Sequence, residues 1–356
     1  MALVDHNITD RGLVADVERI AVLRANALGD LVFALPAFEA LRAAYPTAEI
    51  VLLARDWHRG LLDGRPGPID RVVAIPDGVL GDETEAARGV TPLWSLRGER
   101  FDIGVQLHGG GRHSNPFVAR LDARVTAGAR ADDAAPLDRT IPYRVYQSEV
   151  FRALEIVRLV GAEPVTIEPR LAVVAADLDA ADAVLPDDLR PLAVLHPGAS
   201  DPRRRWPAER FAEVADALAA DGCRVVVTGT AEELPITRAL LAAARAPVVD
   251  LAGRLDLSAL VGLLARAAVV VSNDTGPLHL AAAVGASTVG LFWYGNLVNA
   301  GPPFRARHRP LLAWQPTCPR CGADATDIRG CDHPDSFVAS IPVDRVVAEA
   351  LDLLAG

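Results

Sequence analysis

The residues best suited to chemistry lie at three junctions where an apolar run gives way to small and polar residues. In SNDTGPLHL, Ser272–Leu280, a run of β-formers ends at Asp274-Thr275-Gly276, a helical pattern opens near Pro277, and His279 falls within its first turn. Unpaired backbone N–H groups and the positive end of a helix dipole make such a start an anion site. Proline suits the first helical position, Gly276 admits a ligand close to the backbone, and the Thr275 hydroxyl can donate to a phosphate. A carboxylate beside a diphosphate is repulsive, so Asp274 is expected to cap the helix or to accept from a ribose hydroxyl. Asp-Thr-Gly is also an aspartic-protease signature, but that chemistry needs two such aspartates. This chain has one, late, in an α/β frame. The plainer alternative is a capped helix with His279 in the core.

The second junction is RANALGDLVFALPAF, where a strand is followed by Asn26-Ala27-Leu28-Gly29-Asp30 and then a helix. Gly29 allows a tight turn. Asp30 stands where an N-cap would, or else is a carboxylate at the domain rim able to act as general base. Pro36 predicts a helix that begins near it or is kinked there. The third is LHPGASDPRRRWPAERF: a strand ends at Leu195, a loop carries Ser200 and Arg203-Arg204-Arg205, and Trp206-Pro207 opens a helix. Guanidinium groups at a strand end can grip a diphosphate bidentately; a solvated basic loop is the alternative.

The elements that must hold these junctions alternate. Strands are expected at Ile20–Leu23, Glu49–Leu53, Arg71–Ile75 and Phe101–Leu107, with a helical pattern over Tyr146–Val160. A proline-marked break, Gly161 to Pro186, precedes a second series of strands: Leu192–Leu195, Arg224–Thr228, Val248–Leu251, Val269–Val271 and Thr288–Phe292. Helical patterns fall between them, which implies right-handed crossovers in parallel sheets. At 356 residues two domains are the expectation, and 51% apolar against 23% charged residues describes a globular chain. A formal net charge of −10 argues against a nucleic-acid partner. All 36 basic residues are arginine, so any role usually given to lysine must fall to arginine. The first twenty residues lack an apolar signal region, and the longest apolar window, Leu257–Val271, is cut by Arg266. A soluble, cytoplasmic protein without a transmembrane segment is therefore expected.

Together the three junctions resemble glycosyltransferase family 9, the ADP-heptose:lipopolysaccharide heptosyltransferases and their relatives, over nearly the whole chain. The shared pattern is Ala27-Leu28-Gly29-Asp30 with Leu35-Pro36-Ala37, the His196–Pro207 loop ending in Trp-Pro, and Asp274 to His279. The resemblance implies the GT-B fold, two Rossmann-like doubly wound α/β domains facing across a cleft. Residues 1–168 would bind acceptor, residues 169–340 the nucleotide sugar, and 341–356 would form a C-terminal helix. It implies an inverting transfer, needing no metal or other cofactor, from a nucleotide sugar, ADP-heptose foremost, to a hydroxyl of a glycoconjugate or small-molecule acceptor. Asp30 becomes the general base. Ala199, Ser200 and Arg204 join Asp274, Thr275, Gly276 and His279 around the diphosphate, and Glu232 or Glu233 recognises the nucleotide or ribose.

Two regions depart from the pattern. Gln106-Leu-His-Gly-Gly-Gly-Arg112-His113-Ser114 carries a glycine run and two histidines. Arg112 and His113 are candidates to meet the acceptor, against the reading of a flexible loop. In the segment 317–335, Cys318, Cys321, Cys331 and His333 offer a tetrahedral zinc set, with a first pair at knuckle spacing. A local disulfide or free thiols are the alternative, and any zinc would be structural. A nucleotide-sugar-binding protein without catalysis and a GT-B epimerase are the competing functions. Against a dinucleotide-dependent oxidoreductase, the first strand is followed by Asn-Ala-Leu-Gly-Asp and not by Gly-x-Gly-x-x-Gly.

Overall fold

The computed structural model describes residues 12–75, 96–186, 188–325 and 331–356. The first eleven residues and 326–330 of the cysteine-rich segment thus lie outside the described residues. The chain divides into two compact units, Met1–Ile167 and Glu168–Gly356. The first holds β1 (Arg19–Leu23), β2 (Glu49–Ala54), β3 (Arg71–Ala74), β4 (Ile103–Gln106), β5 (Val125–Arg130) and β6 (Arg139–Pro142). The second holds β7 (Leu192–His196), β8 (Arg224–Val227), β9 (Val248–Asp250), β10 (Val269–Asn273), β11 (Ser287–Trp293) and β12 (His308–Ala313).

Among the described residues each unit forms a six-stranded sheet, ordered β3-β2-β1-β4-β5-β6 and β12-β11-β10-β7-β8-β9. Every pairing is parallel. Ile20 to Leu23 and Val269 to Val271 are wholly buried, the continuous apolar run of a strand covered on both faces. The two sheets have the same winding. In each, the first strand lies beside the fourth, and the chain runs outward from that pair in both directions. Beyond the C-terminal ends of such a pair lies the crevice where doubly wound sheets bind ligands. One switch point is β1/β4 and the other is β7/β10.

The helices are α1 (Leu28–Ala44), α2 (Trp57–Leu62), α3 (Ser114–Ala119), α4 (Glu149–Arg158), α5 (Ala175–Val184), α6 (Ala208–Ala220), α7 (Leu234–Ala243), α8 (Leu257–Arg266), α9 (Gly276–Ala283), α10 (Tyr294–Ala300) and α11 (Val343–Ala355). The helix α1 begins at Leu28 and runs through Pro36, so the expectation of a start near the proline is corrected. Burial of Leu31, Val32, Ala34, Leu35, Phe38 and Leu41 outweighs the roughly 3 kcal/mol that an interior proline costs. Gly29 accordingly lies buried in the first helical turn and not in a turn before it. Helix α5 falls within the expected break and packs on α8. Gly262 makes this approach possible, since a Cβ there would sit 2.0 Å from the Asp177 carbonyl oxygen. No helix among the described residues is long and apolar enough to cross a membrane.

Candidate active site

At the β1/β4 switch point a buried arginine holds a partly exposed carboxylate. Arg24, the residue after β1, donates Nε to the Asp30 carbonyl (2.8 Å) and Nη2 to Asp30 Oδ1 (3.1 Å). Its Nη1 donates to the Leu107 carbonyl beyond β4, and Glu149 Oε2 lies 3.5 Å from Nη2. Asp30 Oδ2 accepts from the Ala27 N–H at 3.2 Å. Asp30 is therefore the third residue of the helix and not its N-cap, which is Ala27. An alanine has no side chain to cap with, and the carboxylate reaches back to do it. Each carboxylate oxygen keeps a second lone pair, so Asp30 can still accept a proton from a ligand.

His108, two residues beyond β4, joins this site: its Nδ1 accepts from the Ala25 N–H at 3.1 Å. Burial first, then the charges of Arg24 and Arg55, push its pKa down to about 4. Gln106 is wholly buried and its Nε2 donates to the His108 and Gly109 carbonyls (2.9 and 3.1 Å). The loop at 108–113 is thus tied to the sheet. Arg112 is exposed, 3.7 Å from Asp133 Oδ2, and His113 directly precedes α3.

At the β7/β10 switch point the arrangement is reversed. Asp274 is buried, and the expectation that it caps α9 is corrected, since the N-cap is Thr275 and the Asp274 carboxylate is bonded elsewhere. Its Oδ1 accepts from His279 Nε2 (2.9 Å) and its Oδ2 from Asn296 Nδ2 (2.7 Å). Arg204 Nη1 lies 3.6 Å from Oδ2 and donates to the Asp274 carbonyl at 3.3 Å. Arg204 Nη2 donates to Ser200 Oγ at 2.9 Å. A carboxylate only accepts, so the proton of His279 sits on Nε2. The repulsion expected between Asp274 and an anion is thereby offset by two hydrogen-bond donors and the Arg204 charge.

The neighbouring arginines are engaged elsewhere. Arg203 pairs with Asp201 through Nε and Nη2 (2.9 and 2.6 Å), and Arg205 Nε donates to the Ala199 carbonyl (2.8 Å). Against the opposing effect of burial, the Arg203 hydrogen bonds hold the Asp201 carboxyl below the usual range. Asn273 stitches the loop to β10: its Oδ1 accepts from the Trp206 N–H (3.0 Å) and its Nδ2 donates to the Pro197 carbonyl (2.8 Å). Thr275 is the N-cap of α9, and Gly276 its first residue. Of the two candidate glutamates, Glu232 is exposed. Glu233 accepts from the Thr230 N–H at 2.8 Å and lies against Gly198, where a Cβ would stand 2.0 Å from its Oε1. Behind them His196 is buried, which lowers its pKa, with Nδ1 3.2 Å from Thr228 Oγ1.

The ligand atoms of Cys318, Cys321, Cys331 and His333 all lie within 4.8 Å of one another. The Cys321–Cys331 sulfurs are 3.6 Å apart, too far for a disulfide at about 2.05 Å. The backbone N–H of Cys321 is the first cause that pulls the Cys318 thiol down to about 6. These donors fit a tetrahedral metal ion.

The profile of glycosyltransferase family 9 (heptosyltransferase) matches residues 93–320. The chain belongs to glycosyltransferase family 9. It is a glycosyltransferase built from two Rossmann-like units of the GT-B class. Lipopolysaccharide heptosyltransferase 2 of Salmonella typhimurium is 30% identical over 297 residues, covering 77% of this chain and 82% of that protein. A family 9 glycosyltransferase structure from Veillonella parvula superposes with a TM-score of 0.80 at 19% identity, over 97% of this chain and 99% of that one. The structure of E. coli ADP-heptose LPS heptosyltransferase II gives 0.75 at 22% identity, over 95% and 98%.

Sequence reading missed Arg24, Asn273 and Asn296 in this family 9 site. The first two directly follow or end an apolar strand, a signal that could have marked them. Asn296 lies on α10, which has no periodicity to announce it.

Proposed function

We propose that this family 9 enzyme transfers a heptose from ADP-heptose to a hydroxyl of a lipopolysaccharide-type glycoconjugate, inverting the anomeric centre without a catalytic metal. The second unit takes the nucleotide sugar and the first the acceptor. The observation that carries this reading is Arg204, a guanidinium held by a buried carboxylate at a doubly wound switch point beside the start of α9. The names of the relatives, heptosyltransferases of lipopolysaccharide and ADP-heptose, point to the same donor and acceptor.

In the proposed step the acceptor oxygen attacks the anomeric carbon as the bond from that carbon to the diphosphate oxygen breaks. One displacement inverts the centre. Asp30 takes the proton from the acceptor hydroxyl. The charge left on the diphosphate meets Arg204, the hydroxyls of Ser200 and Thr275, and the backbone N–H groups at Ala199 and Gly276. His279 and Asn296 keep Asp274 turned toward Arg204. Glu233 is the better placed glutamate for a ribose hydroxyl, and Arg112 with His113 meets an anionic acceptor. The Cys–His cluster takes no part in these steps.

The reading is tested by thermal stabilisation with ADP, GDP and UDP at equal concentration. A ligand at a hundred times its dissociation constant adds about 2.7 kcal/mol to the folded state. A shift with ADP alone is expected. A shift selective for GDP or UDP would replace the donor, and none with any of the three would remove the donor site.

A further inference from the structure

We propose that Cys318, Cys321, Cys331 and His333 bind one zinc ion, and that this ion fixes the loop that presents Arg204. The significance for Arg204 rests on the donor-site reading above. Cys331 Sγ stands 3.5 Å and Cys318 Sγ 3.8 Å from His333 Nδ1, and Cys321 Sγ 3.6 Å from Cys331 Sγ. Tetrahedral zinc, with sulfur at about 2.3 Å and nitrogen near 2.0 Å, has ligand–ligand edges of about 3.5–3.8 Å. The first cysteine pair sits on a tight turn: Gly322 N–H donates to the Cys318 carbonyl (2.9 Å) and Cys318 N–H to the Ala323 carbonyl (2.8 Å). Gly322 takes φ +73, a conformation open to glycine. Three thiolates and an imidazole are soft-to-borderline donors that select zinc over calcium or magnesium.

The chain on either side of this cluster grips the two elements that build the donor site. After it, the Phe337 N–H donates to the Arg203 carbonyl (2.7 Å), and the Ile341 carbonyl accepts from Trp206 Nε1 (3.1 Å). Arg204 lies between those two anchored residues. The Arg203 guanidinium also stands over the Phe337 ring, 5.9 Å from its centre. Before the cluster, the Gln315 carbonyl accepts from Trp293 Nε1 (2.9 Å) at the end of β11. From there α10 carries Asn296 to Asp274. Cys318, Cys331, Phe337, Trp206 and Trp293 share one buried cluster. An ion held by these four ligands therefore ties both anchors together.

The test uses the full chain as purified, the same protein after dialysis against a strong zinc chelator, and the variants Cys321→Ser and Cys321→His. Zinc is counted by elemental analysis. Hydrogen exchange is read at the amides of Arg203 to Trp206, with β1 as internal reference. About one zinc per chain is expected, and its removal by chelator or by Cys321→Ser should raise exchange at these amides about tenfold or more while β1 is unchanged. Cys321→His, still able to ligate, should retain zinc and protection. Affinity for ADP should fall about tenfold in step with zinc loss. Protein without stoichiometric zinc, or equal exchange with and without it, overturns the proposal. A zinc-loaded protein with a protected loop and no affinity for any nucleoside diphosphate would leave the zinc clamp standing and remove the donor reading.

Discussion

The two units solve one problem with the same pair of residue types and opposite burial. At β1/β4 the arginine is sunk and the carboxylate emerges: the side chains of Arg24 and Asp30 are 5% and 33% exposed. At β7/β10 the carboxylate is sunk and the arginine emerges: Arg204 and Asp274 are 30% and 5% exposed. In each case the buried partner has further hydrogen bonds that fix it, and the emergent partner is the one a ligand can reach. Burying either charge is costly unless it is paired and hydrogen-bonded. The identical winding thus leaves a carboxylate emergent in one unit and a guanidinium in the other, the groups to which the proposed function gives the proton and the diphosphate.

The largest expected effect comes from the emergent carboxylate. Asp30→Asn keeps the shape and its hydrogen bond to the Ala27 N–H but cannot take a proton. Turnover should fall about a thousandfold, within the range that a positioned general base contributes. Affinity for the donor nucleotide should be unchanged, since Arg204 and its partners are untouched. Single-turnover kinetics and calorimetry with ADP read the two quantities separately. Equal losses in both would end the division of labour drawn above.

The emergent arginine should give the converse result. Arg204→Ala removes a charge-assisted contact worth about 1.5–3 kcal/mol, so ADP should bind on the order of tenfold to a hundredfold more weakly. Arg203→Ala is the comparison. Its guanidinium is spent on Asp201, and its loss should lower stability more than affinity. If the two variants weaken ADP equally, the loop binds as a diffuse basic patch and the role of Asp274 in singling out Arg204 falls.

Much of this was legible in the chain. The apolar runs at Ile20–Leu23 and Val269–Val271 announce covered strands, and the three junctions announce strand ends, two with residues suited to an anion and one with a carboxylate. The partners of the site residues were not legible. Arg24 and Asn273 are polar residues beside apolar runs, and spacing alone does not say whether such a residue turns to solvent or into the sheet. Here each is drawn inward because backbone carbonyls across the switch point, Leu107 and Pro197, need donors. The strands β5, Val-Thr-Ala-Gly-Ala-Arg, and β6, Arg-Thr-Ile-Pro, were missed for another reason. They lie towards the edge of the sheet and carry too few large apolar residues to show a pattern. Asp30 was placed at the N-cap because helix starts shift by a few residues when the carboxylate caps from within the first turn.

The last effect concerns acid. His58 in α2 is wholly buried, its Nδ1 is 3.1 Å from the Arg55 carbonyl, and its Nε2 has no hydrogen-bond partner among the described residues. Burial, then the charges of Arg55 and Arg24, pushes its pKa from the usual 6.5 to about 4. His108 in the same unit is lowered to about 4 as well. His196 and His308 in the second unit are lowered too, burial being the first cause in each. Between pH 6.5 and about 4 the unfolded chain binds protons that folded His58 and His108 refuse. Their contribution is therefore complete above pH 6.5 and is lost as the pH falls towards 4, at about 1.4 kcal/mol per pH unit for each fully shifted histidine. Urea unfolding of the first unit at pH 7, 6 and 5 should show this slope, and His58→Gln should remove about half of it. A variant with the full slope would move the acid sensitivity to His108, beside Arg24, and so to the site that holds Asp30.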